Sequence, residues 1–164
     1  MRKDSIIFRI SQSIKLSSSV SPDKIESVFK NEKNSFYGDL ITSLIKASGD
    51  NLSNFSSAIG IEKKVFENVR SKSSKHRREI SFFETMRVLV ALNLDQTHSE
   101  RLMTECHCAI PDKLPRDKAL RAIVFTQHLN NEEKRLRLRC LELVESNFTN
   151  LNFDFLSAIK KIKW

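Results

Sequence analysis

At 164 residues, 40% apolar and 29% charged, the chain can bury a core of its own and is too balanced in composition for a disordered tail. Twenty-eight Lys and Arg against 20 Asp and Glu leave a net charge of +8, which favours a polyanionic partner without specifying one. No window holds the ~18 to 20 apolar residues of a membrane span, and three cysteines do not make a disulfide framework, so the expectation is a reduced, cytoplasmic protein.

Met1-Arg2-Lys3-Asp4 is basic, but Ile6 to Ile10 is too short and too interrupted by charge for a signal-peptide core. Ile6, Phe8, Ile10, Ile14 and Leu16 alternate with polar neighbours, a period compatible with one short strand. Ser21-Pro22 then opens a short amphipathic helix carrying Ile25, Val28 and Phe29. Only three Gly and three Pro punctuate the whole chain, which argues for helices joined by short polar turns.

Phe36, Leu40, Ile41, Leu44 and Ile45 form a stripe of helical period that ends at Gly49. Leu52 to Ile59 carries Leu52, Phe55, Ala58 and Ile59 on one face and stops at Gly60, and Ile61 to Arg70 carries Ile61, Val65, Phe66 and Val69. A polar, basic stretch from Ser71 to Arg78 follows. Ser81 with Glu84 three residues on is a capping box at the head of an apolar helix through Phe82, Phe83, Met86, Leu89, Val90 and Leu92. A further short helix fits Thr97 to Cys106. Beyond the prolines at 111 and 115, helices fit residues 115–128, 131–146 and 150–162, the second with Asn130 as its cap. The fold class is therefore all-α, with five helices in a central domain over 36–108, an N-terminal arm over 1–35 and a C-terminal helical extension over 109–164.

The informative stretch runs from Asn51 to Arg70. Two helices crossing steeply over a turn of a few residues need an inward set such as Phe55, Ile59, Ile61, Phe66 and Val69, a small residue at the crossing (Ser56) and a left-handed residue at the corner (Gly60). That set leaves Glu62, Lys63, Lys64, Glu67 and Asn68 on the outer face of the second helix.

In these residues the sequence resembles the helix-turn-helix family of lambda-repressor and Cro type, also called the xenobiotic-response-element type. Phe36 to Ser48 is similar to the family's first helix, Phe83 to Leu94 (ending Ala91-Leu92-Asn93-Leu94) to its penultimate one, and Asp95 to Cys106 to the closing one. The resemblance implies a five-helix bundle whose third helix enters the major groove of double-stranded DNA, with Glu62, Lys63, Lys64, Glu67 and Asn68 reaching base edges. It places Asn51 and Ser53 against phosphate and lays the loop bearing Lys72, Lys75, Arg77 and Arg78 along the backbone. Leu52 stands where the family often has Gln, and the loop after the third helix is longer than usual. Family members usually bind as two-fold dimers, so a homodimer is expected, with the C-terminal extension as the contact.

Charge points to the same face. Residues 62–78 hold seven Lys or Arg and two Glu, a local excess of +5, whereas residues 79–110 hold two Arg and five acids. Cys106-His107-Cys108 looks like a metal motif, but thiols two apart on a helix end diverge, and a fourth ligand would have to come from Cys140 or another His; the expectation is ordinary thiols and no metal. His76, His98 and His128 are singletons. With no phosphate-binding glycine loop and no catalytic constellation, neither an enzyme nor a cofactor is expected.

In the extension, Lys134 to Arg139 reads as the solvated side of a helix whose stripe of Leu136, Cys140, Leu143 and Val144 packs on residues 115–125 or on a second subunit. Phe148, Phe153 and Phe155 exceed what a small extension can bury within itself, which suggests an interface. The expected function is sequence-specific DNA-binding transcriptional regulation. The competing expectation is a protein-interaction subunit, antitoxin-like or complex-docking, that engages a partner through the C-terminal helices.

Overall fold

Short polar residues at the heads of apolar stripes set where the helices begin. In a computed structural model describing residues 21–73 and 75–162, the side chains of Ser21, Asn51, Ser81, Asp95, Asn130 and Asp154 each accept the backbone N–H three residues on. Each bond satisfies one of the four unpaired donors of a helix N-terminus and stabilises by about 1 kcal/mol. The capping box expected at Ser81 and Glu84 forms in both directions, at 3.2 and 2.9 Å.

The described residues form nine α-helices and one 3₁₀ turn, Glu32–Asn34, with no strand among them. In chain order the helices are α1 Pro22–Lys30, α2 Tyr37–Ala47, α3 Leu52–Ile59, α4 Lys63–Val69, α5 Phe82–Leu92, α6 Gln96–Glu105, α7 Pro115–Val124, α8 Asn131–Ser146 and α9 Phe155–Lys160. The strand expected over Ile6 to Leu16 lies outside the described residues. Helix α1 packs on α2; α2 packs on α3 and α4; α3 packs on α4 and α5; α5 packs on α7 and α8; and α7 packs on α8 and α9.

The stripes read from the sequence supply the core. Leu40, Ile41, Leu44 and Ile45 of α2, Phe55, Ala58 and Ile59 of α3, Phe66 and Val69 of α4, and Met86, Leu89, Val90 and Leu92 of α5 are all buried. Truncating a fully buried aromatic such as Phe55 or Phe66 to Ala should cost about 3–5 kcal/mol, transfer and cavity terms together. The same buried cluster continues through Leu120, Ile123 and Val124 of α7, Leu138, Leu141 and Val144 of α8 and Phe155 of α9.

The C-terminal third departs from the sequence reading in four places. First, α7 ends at Val124 rather than 128: His128 lies in the left-handed region at φ 60°, and the Thr126 carbonyl accepts the Asn93 amide at 2.8 Å. Second, α9 begins at Phe155 rather than 150, because Asn150 closes a turn through its carbonyl and side chain, and Asp154 then caps the helix. Third, α8 buries Leu138 and Leu141, whereas Leu136 and Leu143 are half-buried. Its basic run is not a solvated face: Lys134 is 1% exposed, Arg135, Arg137 and Arg139 are half-buried, and Arg137 donates to the Ala122 carbonyl. Long basic side chains lay their methylene stems along apolar surface, and periodicity alone does not register that. Fourth, the phenylalanines find partners within the chain. Phe155 is buried against Phe153, and Phe148 packs edge-on to Phe83 at 5.3 Å.

Candidate nucleic-acid interface

Gly60 makes the corner between α3 and α4. Its φ of 71° and ψ of 27° are left-handed, a conformation that costs a residue with a Cβ roughly 1–2 kcal/mol. Ile61 follows, 5% exposed, and donates its N–H to the Ser56 carbonyl, drawing the chain back under α3. Ser56 is itself buried, its hydroxyl bonded to the Leu52 carbonyl. The inward set Phe55, Ile59, Ile61, Phe66 and Val69 is buried throughout, with the rings of Phe55 and Phe66 meeting edge-on at 6.2 Å.

What remains outside is the surface singled out by the sequence. Glu62 occupies the N-cap position of α4 without a side-chain capping bond, and Glu62, Lys63, Lys64 and Glu67 are exposed. Asn68 is half-buried, and its carbonyl accepts from both Ser71 and Arg78. Lys63 lies 4.0 Å from Glu67. Exposed pairs of this kind are worth about 0.2–1 kcal/mol, and Lys placed N-terminal to Glu is the weaker orientation, so Lys63 exchanges partners readily.

Helix α4 is held at the other end by a close approach that the sequence reading missed. A Cβ on Gly38 would sit 2.7 Å from the Arg70 Cα and 2.8 Å from the Val69 carbonyl oxygen. Only a glycine lets the head of α2 meet the tail of α4 at that distance. Arg70 adds an ion pair to Asp39 at 3.9 Å across the same contact. The available signal was a glycine inside an otherwise helical apolar stripe, which marks close backbone approach.

The basic loop after α4 folds back on the bundle. The Arg78 N–H reaches the Asn68 carbonyl, and the Arg78 guanidinium grips the Glu84 carboxylate with two bonds, at 2.9 and 3.3 Å. Glu84 is thus shared between the α5 cap and Arg78, so Arg78 is an anchor of the loop as well as one of its cations. Arg77 lies with its guanidinium 4.4 Å above the Phe36 ring. The Ile80 N–H meets the Tyr37 hydroxyl at 3.4 Å, and burial pushes that phenol above its ordinary value. Lys72 and Lys75 are exposed, and among the described residues neither they nor Lys64 has an ion-pair partner. Asn51 and Ser53 are exposed at the head of α3, where the Asn51 side chain already accepts the Asn54 N–H.

The α4 outer face, the loop cations and the head of α3 are thus carried on consecutive elements, with Lys63, Lys64, Lys72 and Lys75 exposed. A mainly apolar groove of about 640 Å³ is lined by Phe82, Phe83, Leu114, Leu120 and Phe148, with Lys113 and Arg116 at its edge. Burial pushes Cys106 and Cys140 up to about 12, which keeps them protonated, and no group of three or more His, Cys, Asp or Glu among the described residues is placed to hold a metal. Among those residues, no helix is long and apolar enough to cross a membrane.

No family model matches the chain, and no curated protein or solved structure matches it either.

Proposed function

We propose that the chain is a sequence-specific double-stranded DNA-binding regulator of lambda-repressor and Cro type, acting in the cytoplasm as a homodimer. It binds and does not catalyse. The observation that carries this reading is the division of α4: Phe66 and Val69 locked into the core, Glu62, Lys63, Lys64 and Glu67 projecting outward, and the helix pinned at one end by the Gly60 corner and at the other by Gly38. A rigid helix with mixed donors and acceptors suits the major groove, where Lys donates to guanine, Asn pairs with adenine and Glu accepts from the cytosine amino group. Lys72, Lys75 and Arg77 on the adjoining loop supply the phosphate attraction, with Asn51 and Ser53 touching the backbone from the head of α3. The three loop cations would make log K fall with log salt at a slope of roughly −3 per chain, the neutral contacts of Asn51 and Ser53 adding nothing to it.

The test is selection of duplexes from a random pool by the purified protein. One enriched sequence that is bound at physiological salt, and is no longer discriminated from the pool by the Lys63→Ala/Lys64→Ala variant, is the expected result. Retention of random and selected duplexes alike, erased by salt, points to the second reading. That reading is a protein-interaction subunit built on the same scaffold, favoured by the apolar groove and by the 82% exposed Leu151, which lines a separate small cavity sharing Leu114 and Arg116 with the groove.

A further inference from the structure

Helix α1 buries a single side chain, Ile25, with Val28 and Phe29 half-buried. Its main packing is on α2; its attachment to α6 combines Phe29, with the Arg101 guanidinium 4.5 Å above its ring, and an ionic cluster. His98, 8% exposed, places Nδ1 2.5 Å from Asp95 Oδ2 and Nε2 2.6 Å from Glu26 Oε2. A neutral imidazole donates from one ring nitrogen only, so two carboxylate oxygens at these distances require the imidazolium. Arg101 lies 3.2 Å from both oxygens of Glu26, and the Phe29 ring sits 5.3 Å from the His98 ring. These are the groups that face His98: Glu26 and Phe29 from α1, Asp95 from the head of its own helix, and Arg101 one step behind Glu26.

We propose that α1 is a proton-gated strap, held on α6 by the charged His98 ring bridging Asp95 and Glu26 and released when that ring loses its proton. The two bridges are not equivalent. Asp95 is the N-cap of α6 and also accepts the His98 N–H, at 2.9 Å, so the Nδ1 contact is local and survives in the neutral ring. The Nε2 contact is the one that joins two helices. Once neutral, Nε2 turns a lone pair toward the Glu26 carboxylate, and attraction becomes repulsion at the single point that ties α1 to α6 through the histidine. Arg101 remains as a partial tether.

The direction in pH follows. Burial lowers the His98 value, but the hydrogen bonds to Asp95 and Glu26 outweigh it and leave the ring above its ordinary 6.5. A group whose value is raised by docking contributes fully below its ordinary value and loses that contribution as pH rises through the raised one. Glu26 is lowered by its bonds to His98 and Arg101; for Asp95, burial raises and the His98 bonds more than offset it. The strap therefore also loosens in acid, as pH falls through those lowered carboxyl values. It is closed between the two limits and opens beyond either, the alkaline opening being the one set by His98.

Amide exchange on the full chain, with intrinsic chemical exchange divided out, reads this directly while the His98 ring resonances report its titration. Protection of Ile25 to Asn31 should fall about tenfold as the ring deprotonates, the equivalent of one charge-assisted bond, while Met86 to Val90 of α5 stay unchanged. Glu26→Gln should flatten the dependence, because the carboxamide can donate to the neutral Nε2. Constant α1 protection through the His98 titration, a ring that titrates at or below the ordinary value, or an unaltered pH dependence in Glu26→Gln would each overturn the proposal.

Discussion

Single residues fix two junctions of the fold, α2 against α4 and α5 against the C-terminal helices. Gly38 permits backbone contact between α2 and α4, and its neighbours there are main-chain atoms that cannot swing aside. Gly38→Ala should therefore destabilise by about 1–3 kcal/mol through overpacking and weaken DNA binding beyond what the loss of folded protein explains, since α4 must shift to make room. Thermal melts paired with binding titrations at fixed folded fraction check it. Asn93 does a comparable job at the junction to the C-terminal helices. It ends α5 in the left-handed region at φ 50°, donates to the Thr126 carbonyl and accepts the Leu129 N–H, both at 2.8 Å. Asn93→Ala should cost about 2–4 kcal/mol, combining the left-handed penalty with a buried N–H left unpaired. Asn93→Gly should recover only the conformational part, which chemical denaturation of the two variants separates. The sequence marked Asn93 by its place in the Ala-Leu-Asn-Leu stretch, but its two long-range bonds reach residues 33 and 36 positions away and leave no local trace.

At the scale of elements, α2 to α5 were legible because each carries a stripe of helical period with a cap or a glycine at its ends, and α6 as the closing helix that the resemblance implies. Their observed limits fall within two residues of those expected. The basic loop was legible as charge but not as structure. Which cation anchors and which remains available depends on Glu84, already committed to capping α5, and on Phe36 beneath Arg77. The loop cations accordingly divide into two kinds. Replacing Lys72 and Lys75 together by Ala should weaken binding about equally for every duplex and make the salt slope shallower by roughly 2, with little change in the melting temperature. Glu84→Ala removes half of the capping box and the partner of Arg78, so it should lower stability by about 1–2 kcal/mol and change the salt slope far less. A salt series of anisotropy titrations with both variants distinguishes the two.

For the whole molecule, the buried cluster runs from Ile25 to Phe155. In the sequence, residues 109–164 look like an extension because two prolines set them off and their apolar residues exceed what a small unit can bury. Part of that surplus is taken up where α8 lies along α5 and Phe148 meets Phe82 and Phe83, contacts that no local pattern encodes, while Leu151 stays 82% exposed. The outer face of α4 was legible for the opposite reason: it is what a short-range inward pattern leaves over. What stays open at this scale is the mainly apolar groove beside Phe83 and Leu114, the surface to which the second reading assigns a protein partner. The measurement that addresses the central claim most directly is a map of backbone amide shifts on adding a selected duplex. The account predicts the largest changes at residues 62–68 and 72–78, with smaller ones at 51–53, and almost none around 111–120 and 148–151. Changes centred on those last two segments, with α4 silent, would contradict it.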